Sequence, residues 1–359
     1  MCAGSMKSVM KRMSWPLPPY NGRAVPLWRR QLRRLVLHSA TLAAIAVLVA
    51  GMSSTALRTQ AFPDHQLTII SPYQAGGTSD IIARLLARRL GEIWQHPVVV
   101  ENRPGANGGI GVNAVVHAPA DGHTLLAVAS SALVLNPLLY RNLGYETVRD
   151  LAPITRTGFV PNVIVVNPTV PANDLKALIA LAKAKPGALN FASQGIGSNG
   201  HLTGLMFAQR AGIDIVHIPY KGSMPAVTDL LGGQVQLMFD NLPTVLEQVR
   251  SGKLRALGVT ARQRSSLLPN VPTVDETALP GFDSTAWFAV LVAKGTPERL
   301  RTAIEAAVVG VLNEPESREK LAAVGISVTG EGSGELAHRI EVETTVWKDV
   351  ITKADIKIE

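Results

Sequence analysis

The chain has 359 residues, with 35 Lys/Arg against 27 Asp/Glu (net +8) and a single cysteine, Cys2. The basic excess sits at one end: residues 1–61 hold nine Lys/Arg and no acidic residue, leaving 26 basic against 27 acidic over the rest. A nucleic-acid-binding domain needs basic charge clustered in the fold itself, so no nucleic-acid partner is expected. With Cys2 alone, the body has no disulfide, thiolate nucleophile or Cys-ligated metal.

In chain order, residues 1–61 read first, as an export leader. A basic stretch ends at Arg33-Arg34, residues 35–50 are nearly all apolar, and Thr59-Gln60-Ala61 fits a small-x-Ala cleavage site, with Ser54-Thr55-Ala56 competing. An apolar run of about 16 residues falls short of the ~20 a spanning helix needs. Arg29-Arg30 and Arg33-Arg34 leave both general and twin-arginine export open.

Beyond the leader, short apolar runs alternate with helical periodicity. Residues 67–70 read as a strand, and Ile81, Ile82, Leu85, Leu86, Leu90 and Ile93 recur at helical spacing. Further strands are predicted at 98–100, 124–129, 163–166, 190–193, 213–218, 234–239, 255–260 and 287–292, and helices at 174–184, 297–313 and 334–353. "NRPGANGGIG" reads as a loop. This β-α alternation predicts parallel sheets covered by helices. Ile70-Ser71-Pro72-Tyr73 and His217-Ile218-Pro219-Tyr220 each end a strand in Pro-Tyr and lead into a Gly/Ser loop and a helix. Ligands of open α/β sheets bind beyond the carboxyl ends of strands. The two ends therefore either face each other across a cleft or are unrelated strand termini.

"FASQGIGSNGH" carries Gly195, Gly197 and Gly200 in G-x-G-x-x-G spacing. A dinucleotide site also needs an acidic residue about 20 positions on, at the end of the next strand. That strand ends in Tyr220-Lys221, and Asp214 sits near its start, so no nicotinamide, flavin or other cofactor is expected. Two readings remain. In one, Ser193, Gln194, Ser198 and the amides at 197–200 cradle an anion at a helix N-terminus; in the other, Ser198 is an ordinary N-cap. "GGTSD" repeats the pattern with Gly76, Gly77, Thr78 and Ser79, and lacks the phosphate-loop lysine motif. "RPGANGGIG" reads as packing.

Enzyme signatures are absent. Ser198 lacks the preceding glycine of G-x-S-x-G. His65, His96, His117, His123, His201, His217 and His338 show no metal-ligand spacing, so neither catalytic nor metal residues are expected. His201 reads as a packed or capping histidine. Asp240 either receives an amine or hydroxyl of a ligand or serves as an N-cap or hinge bond.

Seven collinear stretches carry a resemblance: "FPDHQLTIISPYQAGGTSDIIARLLARRL", "VVVENRPGANGGIG", "ADGHTLL", "FASQGIGSNGHL", "IPYKGSMPAVTDLLGGQVQLMFDNLP", "SGKLRALGVTARQRSSLLPNVPTVDE" and "WFAVLVAKGTP". Together they resemble the Bug family, extracytoplasmic solute-binding receptors of tripartite tricarboxylate transporters. Gly195, Gly197, Ser198, His201 and Leu202 match the family's G-x-G-[ST]-x-x-H-L, which makes the dinucleotide spacing a coincidence. The resemblance implies an α/β, two-domain periplasmic-binding-protein fold (Venus flytrap, type II-like), with a hinge and a ligand cleft between the domains. Domain 1 would take 62–162 plus 285–359, and domain 2 would take 163–284. Tyr73 would border the ligand; Ala75, Gly76, Gly77 and Thr78 would form one cradle, partly through waters; Ser193, Ser198, Tyr220 and Asp240 would come from the other domain.

There are departures. Ala129-Ser130-Ser131-Ala132 stands where the family reads like T-x-G-T, losing a hydroxyl at Ala132 and regaining one at Ser131, and Leu205 replaces a common Glu. The implied function is capture of a small organic carboxylate in the periplasm by a monomer that performs no chemistry and hands its ligand to membrane permease subunits. A ligand sensor for a signalling partner and an enzyme using the same cleft are the alternatives.

Overall fold

The computed structural model describes residues 62–353. The expected leader and its cleavage sites lie outside the described residues. Among those described, no helix is long and apolar enough to cross a membrane.

Two sheets share one strand. In the first, β1 (Leu67–Ser71) pairs in parallel with β2 (Val98–Asn102) and β3 (Thr124–Ala129). The 16-residue β4 (Leu151–Val166) enters this sheet beside β9 (Thr285–Ala293), which pairs antiparallel with both β3 and β4, and β10 (Ser327–Glu331) also joins β4. Residues 162–166 of β4 then belong to the second sheet, antiparallel to β7 (Leu237–Asn241), with residues 163–166 also pairing with β8 (Arg255–Val259). There β5 (Asn190–Ser193) pairs in parallel with β6 (Val216–Pro219) and β7. Each sheet with its helices forms one lobe of a two-domain α/β fold.

The expectation of parallel sheets holds only within the β-α units. β4 and β9 run antiparallel to their neighbours: β4 carries the chain out of the first sheet into the second, and β9 is where the chain re-enters the first. The first part of β4 escaped the sequence reading for a physical reason. "LAPITRTGFVPN" holds Pro153, Gly158 and Pro161, which break strand alternation, and the pairing with β9 absorbs them as register shifts between Pro153/Thr155 and Arg156/Gly158. Gly158 is required there: a Cβ would lie 2.4 Å from the Ser327 carbonyl oxygen of β10. β10 and the helix Pro315–Ala323 were not anticipated, and "NRPGANGGIG" is not all loop, since the helix Gly109–Val116 begins inside it.

The alternation of side chains across each sheet sets the cores. Ile69, Leu125, Val290 and Val292 pack on one face of the first sheet with Ile82, Leu86 and Leu90 of the helix Thr78–Trp94. Ile70, Leu126, Val128 and Leu291 pack on the other face with Val112 and Val115. In the second sheet, Ile164, Val166, Leu237 and Phe239 face one way and Val163, Val165 and Met238 the other. Phe191, Phe207, Phe239 and Phe282 are fully buried and meet ring to ring, at centroid distances of 5.7, 5.6 and 6.3 Å. Burying each contributes about 1.5–3 kcal/mol.

Candidate functional site

The strand ends of both lobes converge on one cavity of about 40 Å³, which opens beside a recess of about 220 Å³; Tyr73, Asn107 and Gln194 line both. Four helices begin at residues lining the cavity or directly after one: Thr78–Trp94 behind Gly77, Asn199–Ala211 behind Ser198, Ser223–Leu231 behind Gly222, and Leu242–Arg250 behind Asn241. Each N-terminus presents unpaired N–H groups and the positive end of a helix dipole. Among the described residues, none of the side chains lining the cavity is charged. What the site offers an anion is backbone N–H groups and hydroxyls, not cationic side chains.

In the first lobe, Asp80 is buried and locks the glycine loop. It accepts from the Gly76 amide (2.9 Å), Arg84 Nε (2.8 Å) and Asn102 Nδ2 (2.9 Å). Burial alone would raise its pKa, but these donors hold it below the usual carboxylate value. Ser79 Oγ donates to the Ala127 carbonyl at 2.5 Å. Thr78 Oγ1 is left buried without a partner, as is Tyr73 Oη, to which Ser131 and Ala129 are near but not in hydrogen-bond geometry. Burial pushes the Tyr73 phenol up to about 12, so it keeps its proton. Asn107 has a left-handed φ of 47° and its Nδ2 donates to Asn136 Oδ1 at 2.8 Å, leaving Oδ1 buried and unpartnered at the cavity.

In the second lobe, Gly195 and Gly197 have φ of 140° and 75° and turn the chain into the helix Asn199–Ala211, where Ser198 Oγ accepts from the His201 amide at 3.2 Å. Asp240 is wholly buried, does not line the cavity, and stands behind it. It accepts from Ser223 Oγ (2.9 Å), Thr244 Oγ1 (2.7 Å), the Asn241 amide (2.8 Å) and Gln194 Nε2. Burial raises its pKa to about 6, and the four donors keep it ionised at neutral pH. Asn241 Oδ1 is buried without a partner.

The structure thus brings Tyr73, Gly77, Thr78, Ser131, Gln194 and Ser198 of the expected site together at the cavity. The other expected residues fall elsewhere. Ala75 and Gly76 sit in the preceding turn, outside the lining. Tyr220 lines the neighbouring recess, and its Oη donates to Asp229 Oδ2 at 2.7 Å. Ser193 is wholly buried, with its Oγ 2.7 Å from His217 Nε2 and 3.1 Å from the Gly195 carbonyl oxygen. His217 stacks on His201 at 3.9 Å, and His201 Nδ1 accepts from the Gly197 amide at 3.1 Å.

Ser193–His217 has the spacing of a nucleophile and its base. However, Ser193 does not reach the cavity, and among the described residues no carboxylate orients His217. Asn107, Asn199, Ser223, Asn241 and Phe288 line the cavity without having been singled out. Asn241 directly follows Asp240 at a strand end, and Ser223 lies in the second Pro-Tyr loop, so both carried a positional signal. Phe288 is a strand residue with none.

Contacts cross the cleft. Tyr140 Oη donates to the Ile196 carbonyl at 3.0 Å, and a Cβ on Gly222 (φ 128°) would come within 3.0 Å of Gln74 Cγ. At the hinge, Thr260 Oγ1 donates to the Asn162 and Ser284 carbonyls (3.0 and 2.6 Å), and Asn162 Nδ2 donates to Thr203 Oγ1 (3.0 Å) and to Asn199 Oδ1.

Two α/β lobes joined by one shared strand, enclosing a polar cavity ringed by helix N-termini, define a two-domain solute-binding receptor. Comparison makes the class specific. Residues 82–356 match the model of the tripartite tricarboxylate transporter family receptor, and the chain belongs to that family. The chain is 38% identical to BugT of Bordetella pertussis over 320 residues, covering 89% of this chain and 98% of BugT. Among solved structures it is similar to Rpa4515 of R. palustris with adipate (33% identity, TM-score 0.80, covering 82% of this chain and 99% of that one). It is also similar to MatC of Rhodopseudomonas palustris with bound malate (29% identity, TM-score 0.77, 81% and 100% covered). The likeness to Bug receptors read from the motifs is borne out.

Proposed function

We propose that this receptor captures a small organic carboxylate between its lobes in the periplasm and presents the closed form to membrane permease subunits. One observation carries the reading. Tyr73 Oη, Thr78 Oγ1, Asn107 Oδ1 and Asn241 Oδ1, drawn from both lobes, are buried without partners around one cavity that has helix N-termini and no charged side chain. Leaving such groups unpaired costs about 1–3 kcal/mol each. A guest that satisfies them, directly or through waters, recovers that penalty only when both lobes close on it. The hydroxyls donate to carboxylate oxygens, and the asparagine carbonyls accept from a hydroxyl or a bridging water.

The cavity has room for a few waters, at about 10–15 Å³ each, so a diacid enters only if the lobes part. The proposed lobes are 62–162 with 285–359, and 163–284, exchanging through β4 and the segment before β9. The receptor works as a monomer and leaves its guest unchanged, since Ser193 is sealed from the cavity. The malate and adipate bound by similar proteins suggest the first ligands to try.

Mass spectrometry of small molecules released by denaturing freshly isolated protein, followed by calorimetry with the compound found, tests the reading. A four- to six-carbon carboxylate bound at one per chain is expected. An uncharged or cationic compound as the tight ligand would refute it.

A further inference from the structure

Outside the lining of the cavity, the fold joins residues from two separate stretches of the sequence. Asp64 and His65 precede β1, and His123 precedes β3. Their donor atoms all lie within 4.8 Å of one another. Asp64 Oδ1 is 2.6 Å from His65 Nδ1 and 3.1 Å from His123 Nε2. The two imidazoles lie face to face, with centroids 3.6 Å apart and planes 15° from parallel.

His123 is 8% exposed, and neither ring nitrogen makes a hydrogen bond of acceptable geometry. Burying two unpaired ring nitrogens is unfavourable, and here both point among carboxylates. On the far side of the ring, Asp121 Oδ1 stands 3.3 Å from His123 Nδ1 and is itself fixed by accepting from the His123 amide at 2.9 Å. Phe62 packs edge-on against the His123 ring, at a centroid distance of 5.1 Å.

We infer that Asp64, His65 and His123 form a binding site for a divalent transition metal of the Zn²⁺ class. Two imidazoles and one carboxylate suit zinc, which takes His nitrogen at ~2.0–2.1 Å and carboxylate oxygen at ~2.0–2.2 Å, in tetrahedral geometry. His123 contributes Nε2, and Asp121 Oδ1, 3.3 Å from Nδ1, is placed to accept from Nδ1 once a metal takes Nε2, the carboxylate–histidine–metal arrangement. The exposed ring of His65 can tilt out of the stack so that its Nδ1 converges on the same point, and solvent supplies the fourth ligand. The metal would clip the segment ahead of β1 to the turn ahead of β3, so its effect is on stability and not on the cleft.

The test uses untagged full chain with Cys2→Ser, titrated with Zn²⁺ alone and then with Co²⁺. One equivalent should bind, the Co²⁺ complex should show four-coordinate visible absorption, and Zn²⁺ should raise the thermal midpoint. His65→Ala removes an exposed side chain, so the protein should still fold. That variant should weaken binding at least about tenfold and abolish the thermal shift, and Asp121→Asn should weaken binding by about 10–100-fold. Absence of saturable binding in the parent protein would overturn the proposal. So would equal affinity in the parent, His65→Ala and Asp64→Asn, which would place the metal on other surface histidines.

Discussion

Tyr73→Phe separates a ligand-binding role from a packing role because the two predict opposite signs. The substitution deletes one atom, Oη, and keeps the ring, whose fit is tight: a Cβ on Gly108 (φ 89°) would lie 3.1 Å from Oη and 3.2 Å from Cζ. Without ligand, Oη is buried and unpartnered. Its removal relieves up to about 1–3 kcal/mol of desolvation, less whatever hydration it recovers when the lobes part. At roughly 2–4 °C per kcal/mol for a chain of this class, the thermal midpoint should stay level or rise by a few degrees.

With a carboxylate bound, the same deletion loses a hydrogen bond to a charged group, about 1.5–3 kcal/mol. At 1.4 kcal/mol per tenfold, the dissociation constant should rise about 10- to 100-fold. Burial holds the phenol's pKa near 12, so the loss should not vary with pH across the neutral range. Calorimetry with the identified carboxylate and a thermal melt without it decide the matter. A variant that melts lower and binds as well as the parent would show that Tyr73 packs and does not bind.

Three further outcomes follow from the same geometry. Asp240→Asn keeps an acceptor for Ser223, Gln194 and the Asn241 amide and removes a buried charge behind an anion site. Affinity for a dicarboxylate should stay level or rise, and a calorimetric loss beyond tenfold would instead place a ligand cation against Asp240. Gly200→Ala sets a Cβ 2.2 Å from the Phe239 carbonyl oxygen, where the backbone cannot yield, so soluble yield and thermal midpoint should both fall sharply; a parent-like melt would refute this.

The third outcome concerns pH. Burial lowers the pKa of His201 to about 4 and of His217 to about 3, from 6.5. The unfolded chain therefore takes up protons below pH 6.5 that the folded chain refuses, and stability is lost as pH falls from 6.5 toward 4. Asp240, raised to about 6, works the other way, adding stability as pH falls from 6 toward 3.8. Urea midpoints should drop between pH 7 and pH 5 and drop less in His217→Gln; an unchanged slope in that variant would remove His217 as a cause.

What was legible in the sequence follows local physics. β1, β3 and β5 were found within a residue because each is a short, nearly continuous apolar run, and Asp174 caps the helix Leu175–Ala184 through the Ala177 amide at 2.7 Å. Thr78 and Ser198 were found because a glycine turn before a helix is a local pattern. The long-range features were not legible. The loop "RPGANGGIG" was read as packing, yet its Asn107 lines the cavity; nothing near Phe288 says that the chain returns to put it there, and Pro153 and Pro161 hid a strand that only pairing on both sides sustains. Ser193 illustrates the converse error. It sits in the right motif beside Gln194, yet strand alternation turns its hydroxyl to the buried face with His217 while Gln194 takes the cavity.

The position of Asn199 suggests how occupancy would reach the hinge. Its side chain lines the cavity, and it also accepts from Asn162, where β4 enters the second sheet, and donates to the Thr285 carbonyl at 3.2 Å, at the start of β9. Thr203, one turn along the same helix, holds Asn162 and meets Ser284 Oγ at 2.7 Å. The shared strand β4 and the start of β9 are therefore both tied to the helix whose N-terminus faces the cavity. A rotation that parts the lobes must strain or exchange these bonds, which Asn162 and Thr260 make while wholly buried. A guest that draws that N-terminus toward the first lobe favours the arrangement in which these bonds are made. Ligand contact and hinge geometry thus bias one two-state element, and the selectivity of a cavity without fixed cations would rest on whether a guest can satisfy both lobes at once.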